Sequence, residues 1–427
     1  MLTSTALVLL MTPGLAFFYG GMTRAKSVLN MMMMSWVAII TVTIVWVLWG
    51  DSLSFSPGNG FIGGFGYLGE QGMVNSASRV AGIPDLVFSA FQLTFAVITV
   101  ALISGAIADR AKIGPWAVFT VLWATLVYFP VAHWVWGGGW LSSLGIEDFA
   151  GGTVVHVNAG SAGLALALVL GKRRGFGKDP MRPHNLPLVL LGAGLLWFGW
   201  FGFNAGSELA ANGTAALAFM NTQIATAAAA GGWLLVERYR DGKPTALGVA
   251  SGAVAGLVAI TPACAFIAPW AAIVLGLLAG VICCYAIGLK HKLGFDDSLD
   301  VVGVHLAGGA FGALSLGFLA AYPLLDGQRK GLFYGGGIEQ LGVQALGPVV
   351  VGLYSFTVAW ILAKIIDKTM GFRVSAEDEV MGVDVAQHAE SAYELGDIQP
   401  GHTIGAGADS LPTAAIARET EPASKVH

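Results

Sequence analysis

Residues 153–168 read TVVHVNAGSAGLALAL, and residues 302–316 read VGVHLAGGAFGALSL. Laid over one another on His156 and His305, Gly160 falls on Gly309 and Gly163 on Gly312. Each stretch is uncharged, apolar and rich in small residues, as suits a helix that crosses a bilayer and packs closely on another. An aspartate stands at each entrance, Asp148 or Asp300. An ionisable side chain inside such a segment is costly and marks a functional position by default. Either histidine alone has a bland use, a hydrogen bond to a neighbouring carbonyl. Two at equivalent places argue for a shared one.

The rest of the chain is built alike. Only 11% of its 427 residues are charged and 55% are apolar, with 60 glycines and a mean hydropathy of +0.71. A soluble domain carries about 25% charge. The net charge of −4 leaves no basic surplus for nucleic acid, and three cysteines (Cys264, Cys283, Cys284) indicate no disulfide framework. A spanning helix needs about 20 mostly apolar residues. Ten long uncharged runs meet that need: 1–23, 27–50, 86–108, 113–146, 149–171, 183–207, 209–236, 244–289, 301–325 and 340–363. The run 244–289 is twice the usual length and holds Pro262 and Pro269, so it reads as two spans joined by the turn TPACAFIAP. The run 113–146 reads as one span followed by a Gly-rich loop, His133 to Gly139. The expectation is an all-α integral membrane protein with eleven transmembrane helices.

With the N-terminus outside, the inner face collects Arg24, Lys26, Arg110, Lys112, Lys172–Arg174, Lys290, Lys292, Arg373 and most other Lys and Arg, and the outer face keeps only Arg79, Arg329 and Lys330. That asymmetry places the C-terminus in the cytoplasm. The two histidine segments are then the fifth and tenth helices. Five being odd, the second set of five enters from the opposite side, the signature of inverted repeats. The expected organisation is a first repeat over 1–171, a cytoplasmic linker over 172–186, a second repeat over 187–321, an eleventh helix over 340–368 and a cytoplasmic tail over 369–427. Residues 373–398 are polar and acidic and suit docking beneath the membrane part, whereas 396–427 read as disordered. The first span starts at residue 1 with no signal-peptide pattern, which raises the expectation of a mis-assigned start codon, checked by N-terminal sequencing.

Other candidates are fewer. His133, His184 and His291 fall in loop or boundary regions, and no third ligand joins His156 and His305 to make a zinc site. Asp148 reads first as a helix N-cap that also projects a negative field into the outer vestibule. Among 13 Trp and 23 Phe, composition alone does not single out Phe95, Trp136 or Phe203. Trp136 precedes a Gly triplet in an outer loop, and Phe203 lies in FGFNAGS with Ser207 one turn on. An aromatic face beside a hydroxyl suits a small cation that donates hydrogen bonds.

The stretches MTPGLAFFYGG (11–21), FQLTFAVITVALISGAIADR (91–110), HWVWGGG (133–139), DFAGGTVVHVNAGSAGLALALVLGKR (148–173), WFGFNAGS (200–207), DDSLDVVGVHLAGG (296–309) and GFRVSAEDEVMGVDVAQHAESAYEL (371–395) resemble the ammonium transporter (Amt/Mep/Rh) family, prokaryotic Amt type. The resemblance implies eleven helices, a pseudo-twofold between helices 1–5 and 6–10, and a homotrimer with one pore per protomer in the cytoplasmic membrane. It implies an outer site where Trp136, Phe95 and Ser207 recruit NH4+, a gate of Phe95 and Phe203, and a pore lined by the His156–His305 pair. Asp148 would be a structural acid near the site, and no cofactor or metal is implied. Rh-type relatives typically lack the tryptophan, so Trp136 points to the Amt side. A trimeric PII-type regulatory protein is implied at the cytoplasmic face. The abrupt N-terminus and the tail beyond 395 depart from the family pattern. Two other readings stand beside transport: an ammonium sensor acting through the tail, which a fused kinase or cyclase domain would favour, and a membrane metalloenzyme built on the two histidines.

Overall fold

The computed structural model describes residues 1–321 and 330–393. Among these, regular structure is helical, and extended pairing is limited to isolated bridges such as Ala111 with Arg373. A bilayer offers backbone amides no water, so a helix, which bonds its own, is the natural spanning element for such a chain. The long helices are α1 Leu2–Met22, α2 Ala25–Phe55, α3 Asp85–Ile107, α4 Ile113–Leu144, α5 Gly152–Leu170, α6 Leu186–Gly206, α7 Gly213–Arg240, α8 Ala246–Ile260, α9 Pro269–Leu293, α10 Val302–Leu319 and α11 Glu339–Met370. Nine of these are long and apolar enough to cross a membrane. The exceptions are α7, diluted by Asn221, Thr222 and Thr226, and α8, which is 15 residues long.

The break between α8 and α9 lies at Thr261–Ala268, inside the protein. Its freed carbonyls are answered by side chains: Asn221 Nδ2 donates to Cys264 O at 2.7 Å and to Ile267 O at 2.8 Å. The expected loop at His133–Gly139 is shorter than its glycines suggested. Helical backbone continues through Val135, so His133 is a helical residue and the turn proper is 136–139. A Gly triplet stops a helix only where its conformational freedom is used, here at Gly138 (φ +82°).

The two histidine helices run in opposite directions. The end of α5 meets the approach to α10, with Arg173 paired to Asp296 (2.9 Å), while the approach to α5 and the end of α10 both meet the α8–α9 break through Phe149 N to Pro262 O and Ala321 N to Phe266 O. Each begins with a wide π-helical turn containing its histidine. The helices cross at glycine. A Cβ on Gly160 would stand 2.5 Å from Leu306 N, and one on Gly309 would stand 2.8 Å from Gly152 O and 2.9 Å from His156 Cβ. Alignment on the histidines also corrects the second aspartate. The residue eight before His305, as Asp148 is eight before His156, is Asp297; Asp300 matches Gly151, and both hold positive φ (+65° and +117°). Asp297 accepts Val301 N and Val302 N, as a cap does.

The Lys- and Arg-rich end is knitted by ions. Asp109 receives Arg24 Nε and an Arg173 guanidinium nitrogen, both at 3.0 Å, and buried Arg110 donates to Ser298 Oγ and Asp296 O. Two short helices, α12 Ala376–Met381 and α13 Val383–His388, pack on this end. Val374 N donates to Arg110 O, and the Asp384 carboxylate accepts Leu29 N and Asn30 N. The stretch expected to dock does so through residue 392; residues 396–427 lie outside those described.

Overfilling the crossing is expected to part α5 from α10. Gly160→Val or Gly309→Val should cost about 3 kcal/mol or more, because backbone and not a mobile side chain must yield. Gly114→Ala, with open space around it, should stay within about 1 kcal/mol. Thermal unfolding of the purified protein reads both; an unchanged midpoint for the two valine variants would remove the glycine argument.

Candidate conduction pathway

An open cavity of about 390 Å3 lies at the end opposite the ionic cluster, lined by Phe95, Trp136, Asp148, Ser207, Gln92 and Ser142 among others. Its geometry starts from Asp148. One carboxylate oxygen accepts Gly151 N and Gly152 N, the other Thr153 N and Val154 N, at 2.6–3.0 Å. These are the amides that a helix start leaves without partners. Burial pushes the Asp148 carboxyl up to about 6, against the pull of the four N–H donors. The backbone oxygen of Asp148 accepts Trp136 Nε1 at 2.8 Å, which fixes the plane of the indole.

The turn that carries Trp136 is held from behind. His133 sits against two carbonyl oxygens, Ser54 O (Nδ1, 3.0 Å) and Asn59 O (Nε2, 2.7 Å), and Trp134 Nε1 donates to Phe61 O. Phe95 meets Trp136 edge to face, with centroids 5.9 Å apart and planes at 90°. Ser207 Oγ donates to Phe203 O at 2.8 Å, which leaves its lone pairs for a donor in the cavity. Phe95, Trp136 and Ser207, singled out from the sequence, therefore share one cavity with Asp148.

Below, the rings of Phe95 and Phe203 stack at 4.2 Å and 20°. Both are fully buried; Phe95 lines this cavity and Phe203 lines the smaller void beyond it. Phe203 touches the His156 ring (6.2 Å), and Trp200 stacks on that imidazole at 5.4 Å. His156 Nδ1 and His305 Nδ1 are 3.2 Å apart. One of these nitrogens must donate and the other accept, so the accepting ring carries its proton on Nε2. His156 Nε2 is buried without a partner among the described residues. The void beside the pair measures about 10 Å3, and its walls include Met11, Leu15, Ile98, Leu102 and Val254. That is room for about one water-sized guest.

Sequence reading missed Trp200, Gln92 and Asp297. Trp200 lies one helical turn before Phe203 on the same face, a spacing visible in WFGFNAGS. Asp297 was available from the offset to His305. Gln92, one turn before Phe95, had no signal beyond that spacing.

The model of the Ammonium Transporter Family matches residues 1–393. The ammonium transporter of Mycobacterium tuberculosis is 56% identical over 426 residues, covering 92% of this chain and 89% of that protein. The Bacillus subtilis ammonium transporter is 47% identical, with 91% and 96% covered. Among solved structures, Candida albicans Mep2 superposes with a TM-score of 0.84 at 37% identity over 91% of this chain and 88% of that one. A protein described as a Sensor Amt Protein gives 0.83 at 30% identity, with 90% and 96% covered.

Asp148→Ala would strand four buried amides at the start of α5. The expected loss is on the order of 3 kcal/mol or more, read as a lower unfolding midpoint, with Asp148→Asn in between because one carbonyl oxygen remains. An alanine variant as stable as the parent would show that these amides find water instead.

Proposed function

We propose how a chain that belongs to the ammonium transporter family moves its substrate: NH4+ is captured beside Trp136, Phe95 and Ser207, loses a proton around the Phe95–Phe203 stack, and passes as NH3 along His156 and His305. The observation that carries this reading is the lumen itself, a void of about 10 Å3 between apolar walls with a hydrogen-bonded imidazole pair on one side.

Potassium and ammonium match in charge and nearly in size, so a ring of charges separates them poorly. Ammonium differs in donating directional hydrogen bonds and in being able to shed a proton. The indole and phenyl faces attract either cation by about 0.5–2 kcal/mol, whereas the Ser207 lone pairs reward only a donor. An intact cation entering the void would leave its water behind without replacement, at a cost of many kcal/mol. Neutral NH3 avoids that cost. Each imidazole has two distinct nitrogens, so one can serve its partner while the other meets the guest or relays the released proton.

The same reading takes α7 and α8 as membrane crossings, which makes eleven, with the N-terminus outside and the basic end in the cytoplasm. It takes the protein as a homotrimer of the cell membrane, with a PII-type protein engaging the basic end near residues 371–392. A second reading, an ammonium sensor, is favoured by the likeness to the Sensor Amt Protein and by the docked tail. Growth rescue of a transport-deficient strain on low ammonium supports transport, and failure of a well-expressed protein to rescue favours sensing.

Currents on a solid-supported membrane test the mechanism. Ammonium-evoked current that scales with the gradient marks net charge movement, and flux without current marks NH3 alone. The double variant His156→Ala/His305→Ala is expected to admit K+, seen as a new K+ current; continued exclusion would count against the histidines as the discriminating element. Trp136→Leu should raise the half-saturating ammonium concentration roughly fivefold, the equivalent of about 1 kcal/mol of cation–π attraction.

A further inference from the structure

At the basic end, between the stretch following α5 and the end of α9, lies a second open cavity of about 510 Å3. Arg173, Lys178, Lys290, His291 and Ser298 line it, with Asp179 as its one carboxylate. We propose that this cleft is a binding site for a phosphate-bearing anion.

Positive charge at the cleft divides into a committed and an uncommitted part. Arg173 and Lys290 form the fixed part. Arg173 is held by Asp296 and Asp109 at 2.8–3.0 Å, and Lys290 Nζ by Asp300 at 2.6 Å and Asp297 O at 3.0 Å. Their carboxylate partners are thereby neutralised and do not repel an incoming anion. Lys178, in the lining, and Lys172, outside the lining but beside the Phe176 ring, form the free part. Lys178 has no ion pair among the described residues, and Lys172 Nζ lies 5.8 Å from the Phe176 ring centroid. Lysine is a compact charge with three donors and suits a tetrahedral oxyanion approached from several sides. One wall is rigid, because Phe176 and His291 stack face to face at 5.3 Å and 9°. That stack joins the stretch after α5 to the end of α9. A basic pocket between helices on one membrane face suits an anionic headgroup, and its size fits one. Inorganic or soluble organic phosphates present the same chemistry. The cleft shares no lining residue with the void beside the histidines and does not rest on what the pore carries.

Isothermal titration of the full-length protein in uncharged detergent tests this with dioctanoyl phosphatidylglycerol, inorganic phosphate and zwitterionic dioctanoyl phosphatidylcholine. The expected result is binding of phosphatidylglycerol or inorganic phosphate that weakens as salt rises and falls roughly tenfold or more in Lys172→Gln/Lys178→Gln. Binding of phosphatidylglycerol alone assigns a lipid headgroup, and competition by inorganic phosphate assigns a soluble anion. The double variant should keep the parent's unfolding midpoint and ammonium current; if it fails to fold, Lys178→Gln alone takes its place. Absence of binding by both anions, equal affinity for phosphatidylcholine, or undiminished affinity in the variant would overturn the proposal.

Discussion

The crossing of α5 and α10 at Gly160 and Gly309 is the constraint on which the pathway depends. Only backbone without Cβ lets the two helices meet so closely, and only that approach puts two Nδ1 atoms at 3.2 Å. The wide turn at the start of each helix belongs to the same arrangement, since π-helical backbone re-aims one side chain without ending the helix. A histidine pair inside a bilayer is costly unless its nitrogens are shared. The crossing makes them share.

Charge is handled differently at each depth. Around the lumen the polar groups are the two imidazoles, with Thr261 satisfying Trp200 Nε1 at 2.8 Å nearby. At the cavity beside Trp136 the Asp148 carboxylate serves four amides, so Asp148 holds the helix start and, through its backbone oxygen, the indole of Trp136. At the basic end, Asp109, Asp296 and Asp300 each answer a guanidinium or ammonium group. These carboxylates therefore serve architecture, while the Trp136 and Phe95 rings and the Ser207 hydroxyl line the cavity.

The aromatic rings form a continuous column from Trp136 through Phe95 and Phe203 to the Trp200–His156 stack. Each ring touches the next, and two polar contacts fix the far end: Trp200 Nε1 donates to Thr261 Oγ1, and His156 shares a hydrogen bond with His305. His133, read from sequence as a boundary residue, anchors the top of that column through Ser54 O and Asn59 O.

Sequence alone determined that the chain is a helical membrane protein, because charge-free runs of about 20 residues have no other stable use. It paired His156 with His305, because matching glycines survive translation along the chain, and the motif around them sufficed for the family. It did not determine where α4 ends, since Gly137–Gly139 read as a loop that packing against Ser54 O and His133 confines to one turn. It placed Asp300 at the entrance of the second histidine segment, and the structure adds that Asp297 is the cap there while Asp300 pairs with Lys290. The tertiary structure alone decided that Phe95 and Phe203, among 23 phenylalanines, stack on each other and that Trp200 covers His156, because ring contacts across α3, α4, α5 and α6 depend on helix positions that no local pattern encodes.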